Sequence, residues 1–232
     1  MEKEIIKTEY KSITIVADII PARSQPQVLL LHGAGASNRL IYEAIRKELA
    51  QNNISSCALD FLGYGDTGGN LNDSSLKSRT EQAQAVIEKA NVVKPLVVVA
   101  GSMAAYNAIK LTEIYPVSLL VLSAPGLYRP DVYEVNFGNN FSALIREPKS
   151  WDKTDAWEIL NKYKGNLIVL KGGKDEVIPV EIPQKIYDSA INVNYREVIT
   201  FPDAPHRIMN DYLPQHLEDL KRVVDKIIEL MK

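Results

Sequence analysis

Leu96-Val97-Val98-Val99-Ala100-Gly101-Ser102-Met103-Ala104-Ala105-Tyr106-Asn107 runs from a continuously apolar stretch, through a serine among small residues, into a helix-forming segment. An uninterrupted apolar run of this length is the pattern of a strand covered on both faces, which is how parallel sheets are buried. Outward from it the pattern repeats. Val28-Leu29-Leu30-Leu31, Cys57-Ala58-Leu59, Leu119-Leu120-Val121-Leu122 and Leu167-Ile168-Val169-Leu170 are further strand-length runs. Helix-length segments lie between and after them: Leu40 to Ala50, Leu76 to Ala90, Ala104 to Ile114, Ile182 to Ala190 and Gln215 to Met231. Alternation of this kind specifies an α/β protein with a mostly parallel, doubly wound sheet. The opening residues differ: Glu4 to Glu9 and Ser12 to Ile20 read as two strands joined by a tight turn near Lys11, an antiparallel hairpin at the sheet edge.

The chain of 232 residues suits a single domain over 1–232. Its 46% hydrophobic and 24% charged content is that of an ordinary globular protein. A net charge of -2, with no lysine or arginine run, argues against a nucleic-acid partner. The longest apolar runs fall far short of the ~20 residues of a membrane span. The lone Cys57 cannot form an internal disulfide, and Met1-Glu2-Lys3-Glu4 leads into alternating residues without an apolar signal core, so a cytoplasmic location is expected. Cys57 reads as core packing. The oligomeric state is left open.

Residues 128–165 interrupt the alternation. They hold no strand pattern but carry Tyr133, Phe137, Phe141, Trp151 and Trp157. A connection this long inside an α/β domain is read as a cap over the ligand site, with Trp151 and Trp157 as substrate contacts; the alternative is an excursion whose aromatics pack on the domain surface.

A serine on a sharp strand-to-helix turn projects its hydroxyl above the sheet, and bulky neighbours there collide with adjoining backbone. Leu31-His32-Gly33-Ala34-Gly35-Ala36-Ser37 is a second strand ending in a glycine-rich turn, where backbone N–H groups can approach an oxyanion closely. The nucleotide-binding patterns G-x-G-x-x-G and G-x-x-x-x-G-K-[ST] are absent from it. Lys171-Gly172-Gly173-Lys174-Asp175-Glu176 and Pro202-Asp203-Ala204-Pro205-His206-Arg207 each follow a predicted strand and each offer titratable groups. Asp60 and Asp66 form no cluster with histidines or cysteines, so no metal is inferred.

These segments resemble the α/β-hydrolase superfamily, whose nucleophile elbow G-x-S-x-G is matched by Ala100-Gly101-Ser102-Met103-Ala104 with alanine in both outer positions. The order Ser102, Asp175, His206 is the family order of nucleophile, acid and base. The resemblance implies an oxyanion hole from the N–H groups of Ala34 and Met103. It places His32, Gly33 and Gly35 beside the substrate, along with Tyr64 of the Gly63-Tyr64-Gly65 turn, which otherwise reads simply as a glycine turn. Asp203 and Glu176 rival Asp175 as the acid; Asp203 is only three residues from His206. The implied reaction is serine-esterase chemistry on a small carboxylic ester or thioester, with no cofactor. A lyase of the same fold using serine and histidine as acid and base, and a non-catalytic small-molecule binding protein, are the alternatives.

Overall fold

The computed structural model describes residues 2–22 and 25–231; Met1 of the opening quartet lies outside the described residues. Eight strands form one sheet: β1 (Glu4–Tyr10), β2 (Ile13–Ile20), β3 (Val28–Leu31), β4 (Ser56–Leu59), β5 (Leu96–Gly101), β6 (Val117–Ser123), β7 (Asn166–Gly172) and β8 (Tyr195–Phe201). Their spatial order is β1-β2-β4-β3-β5-β6-β7-β8. The hairpin β1–β2 joins β4 antiparallel, and all later pairings are parallel. Lys11, with φ of 54°, makes the turn between β1 and β2. β8 escapes the apolar-run pattern because it is the sheet's last strand; its residues YREVITF are mostly half-buried.

The central strands divide their side chains between two layers, as a pleated strand must. Leu29 and Leu31 point to one core, Val28 and Leu30 to the other. The second core is closed by α1 (Glu43–Gln51) and α7 (Leu217–Leu230). Leu220, Val223, Val224 and Ile227 of α7 are buried, which is one stripe of a 3.6-residue period. The first core is covered by α2 (Leu76–Lys89), α3 (Ala104–Leu111) and α6 (Ile182–Ser189). Ser75 caps α2, its side chain accepting from the N–H of Ser78 at 3.1 Å. Cys57 lies in β4, fully buried, and burial pushes its thiol up to about 12.

Residues 128–165 contain no strand but two short helices, α4 (Asn139–Ile145) and α5 (Ala156–Lys162), with single turns between them. Phe137, Phe141, Ile159 and Leu160 are buried in the first core, so the segment is packed down as part of that layer. No helix among the described residues is long and apolar enough to cross a membrane.

Candidate active site

β5 delivers Ser102 to a left-handed backbone position, φ 50°, before α3 begins at Ala104. The conformation is held from both sides. The Ser102 N–H donates to the Ser123 carbonyl at 2.9 Å, and the Ser102 carbonyl accepts from the N–H groups of Ala105 and Gly126, each at 3.0 Å. Ala100 and Ala104 are fully buried beside the turn, so the sharp bend forms with alanine where the family pattern has glycine. Gly33, facing the bend, has no room for a side chain. A Cβ there would lie 2.8 Å from the Ser102 Cβ and 3.0 Å from the Gly101 carbonyl oxygen.

The ends of β7 and β8 bring the other two groups to Ser102. Their loops are tied together by the N–H of Gly173 donating to Phe201 at 2.8 Å and that of Lys174 donating to Ala204 at 3.0 Å. His206 Nε2 lies 3.0 Å from Ser102 Oγ, and its Nδ1 lies 3.1 Å from both carboxylate oxygens of Asp175. Asp175 Oδ1 also accepts from the N–H groups of Val177 and Ile178, at 2.9 and 3.1 Å. Burial alone would raise the Asp175 carboxyl; the hydrogen bond from His206, the two backbone donors and the imidazole charge outweigh it and hold the group below its ordinary value. Asp203 is exposed and paired with Lys174 at 2.7 Å, and Glu176 is exposed. Neither meets His206 as Asp175 does.

A cavity of about 370 Å³ opens beside Ser102, walled by Ala34, Ile41, Val177, Ile208 and Met209, with Gly33 and Gly35 at its edge. The Ala34 N–H donates to no backbone carbonyl among the described residues. Met103 sends its side chain into the first core while its backbone stands at the start of α3, directly after Ser102.

The remaining expected contacts are placed elsewhere. His32 is fully buried beneath the turn, not at the cavity. Its Nδ1–H donates to the Gly33 carbonyl at 2.8 Å and its Nε2 accepts from the Phe61 N–H at 3.1 Å, which defines the neutral tautomer. Burial, reinforced by the charge of Arg79, pulls its pKa down to about 3. Tyr64 sets its ring edge-on to His32, with centroids 4.9 Å apart, and does not line the cavity either. Trp151 and Trp157 correct the expectation of a pocket-lining cap: they pack edge to face, 6.5 Å between centroids, with the Lys185 ammonium over both rings. Trp157 lies on α5, which packs on α3 and α6, and neither indole is among the residues lining the cavity beside Ser102.

Sequence reasoning missed Ile41, Ile208 and Met209. The last two carried a signal, an apolar pair directly after His206-Arg207. It also missed the polar anchor that follows the glycine-rich turn. Buried Arg39 donates its backbone N–H to Asp60 Oδ1 at 2.7 Å and its Nε to Asp18 Oδ2 at 2.7 Å, while its guanidinium pairs with Asp60 and Asp66. Both carboxylates weighed as metal ligands are thus engaged by one arginine.

A family model described as serine aminopeptidase, S33, matches residues 22–148. No curated protein matches the chain. Among solved structures, an esterase from Exiguobacterium antarcticum superposes with a TM-score of 0.74 at 17% identity, covering 97% of this chain and 98% of that one. A thioesterase domain from the curacin biosynthetic pathway gives 0.73 at 14% identity over 99% and 100% of the two chains. The ferulic-acid complex of Est1E from Butyrivibrio proteoclasticus gives 0.71 at 17% identity over 97% and 99%. At these identities the likeness establishes a common fold.

Proposed function

Because the chain belongs to the serine aminopeptidase S33 family of α/β hydrolases, we propose that it cleaves a small carboxylic ester or thioester through an acyl-enzyme on Ser102. The observation that carries this reading is the 3.0 Å contact of Ser102 Oγ with an imidazole whose other nitrogen faces a carboxylate. An unassisted serine hydroxyl is a poor nucleophile, and that arrangement removes the obstacle. Ser102 Oγ attacks the carbonyl carbon as its proton passes to His206 Nε2. The Ala34 and Met103 N–H groups bind the oxyanion. The alcohol or thiol leaves with the proton from His206, and His206 then draws a proton from water, which attacks the acyl carbon and frees the acid and Ser102. Asp175 holds the ring's orientation and stabilises its charged form.

An aminopeptidase must also bind its substrate's terminal ammonium. Among the described residues lining the cavity there is no carboxylate, and the walls are mostly apolar. With Arg207 as the charged residue of the lining, that disfavours an amino-terminal peptide. Esterases and a thioesterase share the fold at full length, which is consistent with either leaving group.

The test is labelling by a fluorophosphonate together with a panel of nitrophenyl esters and acyl thioesters. Wild-type protein should label and turn over at least one substrate, and Ser102→Ala should lose both, by several orders of magnitude in rate, while staying folded. A folded Ser102→Ala variant with near-native turnover refutes the assignment. Labelling without turnover of any ester or thioester points instead to lyase chemistry on the same groups.

A further inference from the structure

Arg79 sits on the sheet-facing stripe of α2, three residues after Leu76 and four before Ala83, and is fully buried. Among the described residues no carboxylate pairs with it. Its Nε and Nη2 find no hydrogen-bond acceptor of normal geometry among the described residues, and its guanidinium carbon lies 4.7, 4.9 and 5.2 Å from the ring centroids of Phe61, Tyr64 and Phe137. A guanidinium does not give up its proton in a protein, so burial leaves a cation faced mainly by aromatic side chains. Truncating such a side chain to an apolar one would relieve an electrostatic cost, so its position calls for a use.

Its hydrogen bond to the backbone supplies that use: Nη1 donates to the Gly33 carbonyl at 3.3 Å. Gly33 O and the Ala34 N–H belong to the same planar trans peptide, so they point in opposite directions. His32 Nδ1–H also donates to Gly33 O, at 2.8 Å. Two donors, one of them charged, fix the carbonyl on the buried side and turn the Ala34 N–H outward, on the turn that lies against Ser102. Donation to a peptide carbonyl polarises the peptide and strengthens its N–H as a donor.

Resting on the reading of Ala34 as an oxyanion donor, we propose that Arg79 is a positioning residue that polarises the Gly33–Ala34 peptide and lends its positive charge to the oxyanion formed at Ser102. The charge matters because it lies in a protein interior, where screening is weak. Summing the hydrogen bond and the peptide places it about 8 Å from the oxyanion, which in an effective dielectric of about 20 corresponds to roughly 30-fold in rate. The neutral substrate carbonyl gains little from the same charge, so the effect belongs to kcat and not to KM.

The experiment compares wild type, Arg79→Gln and Arg79→Lys by kcat and KM on a neutral nitrophenyl ester and an acidic one, and by the Kd of an alkyl boronic acid, whose serine adduct is an anionic tetrahedron. Arg79→Gln should lose about 30-fold in kcat and in boronate affinity with KM changed less than about twofold, and Arg79→Lys should recover most of both losses. A folded Arg79→Gln with near-native kcat and boronate affinity overturns the proposal. So does a lysine variant no better than the glutamine one, which would mark a purely structural role. A loss confined to KM for the acidic ester overturns it too, by assigning Arg79 to substrate recognition. If Arg79→Gln does not fold, Arg79→Lys decides on boronate: affinity within about threefold of wild type supports the charge, and a tenfold loss or more refutes it. A wild type that binds no boronate and turns over no ester sinks the hydrolase reading and this proposal with it; native boronate binding and turnover with an indifferent Arg79 sinks the proposal alone.

Discussion

Gly33→Ala adds one methyl group at the place where the turn after β3 touches Ser102, the proposed nucleophile. The new Cβ would stand 2.8 Å from the Ser102 Cβ, 3.0 Å from the Gly101 carbonyl oxygen and 3.5 Å from Ser102 Oγ. Non-bonded carbons settle at about 3.5–4.0 Å, so the two strand ends must separate by roughly 1 Å. Ser102 cannot yield, because its backbone is bonded to Ser123, Ala105 and Gly126. The turn must move instead, and it carries the Ala34 N–H. A displacement of that size at a reacting centre costs on the order of 100-fold in kcat/KM, and the overpacking about 1–3 kcal/mol of stability. Gly35→Ala is the matched control. Its Cβ meets nothing within 4 Å, but φ is +75°, so it costs about 1–3 kcal/mol in backbone strain without pressing on Ser102. The assay is kcat/KM on a nitrophenyl ester and the rate of fluorophosphonate labelling, beside urea denaturation of each variant. Similar stability losses with activity lost only in Gly33→Ala are expected. A Gly33→Ala enzyme within about threefold of wild type, or equal losses in both variants, refutes the steric argument.

Asp175→Asn should lower kcat by about 10³–10⁴, because an amide favours the wrong imidazole tautomer, whereas Asp203→Asn, losing only an exposed ion pair with Lys174, should change it less than about twofold; kinetics of the two variants decide, and the reverse ranking would move the acid to Asp203. Met209→Trp should fill the cavity and lower the ratio of kcat/KM for long over short acyl esters by tenfold or more, while Trp151→Ala and Trp157→Ala should shift that ratio by less than about twofold; the opposite result would return specificity to the 128–165 segment. His32, with its folded pKa lowered to about 3, stays neutral where the unfolded chain takes up a proton below about 6.5. Its contribution is therefore intact above that pH and is lost as pH falls toward 3, by about 1.4 kcal/mol per unit, or roughly 2 kcal/mol between pH 7 and 5 in urea denaturation. Imidazole NMR should show His32 uncharged at pH 5, and a titration near 6.5 would refute the burial argument.

Local chemistry made the sheet and the order of its elements legible. An apolar run of four to six residues between turn signals has few choices other than a buried strand, and β3, β5, β6 and β7 each lie over such a run. The small residues around Ser102, the glycines after His32, and the succession of Ser102, Asp175 and His206 named the three side chains that the fold gathers, because a residue at the end of a parallel strand has its position set by the strand. What the sequence could not decide depends on which distant segment fills a given space. Asp175, Asp203 and Glu176 are alike as carboxylates, and only the junction of the β7 and β8 loops turns the first toward His206 and leaves the other two in water. Trp151 and Trp157 look like pocket residues until α5 is set against α6, where Lys185 holds them. His32 is expected beside the substrate and Arg79 carries no sequence signal; their meeting at one carbonyl, 46 residues apart for Arg79 and Gly33, exists only in three dimensions. Strand identity follows from short-range hydrophobicity, whereas the direction of a polar side chain is set by partners far along the chain.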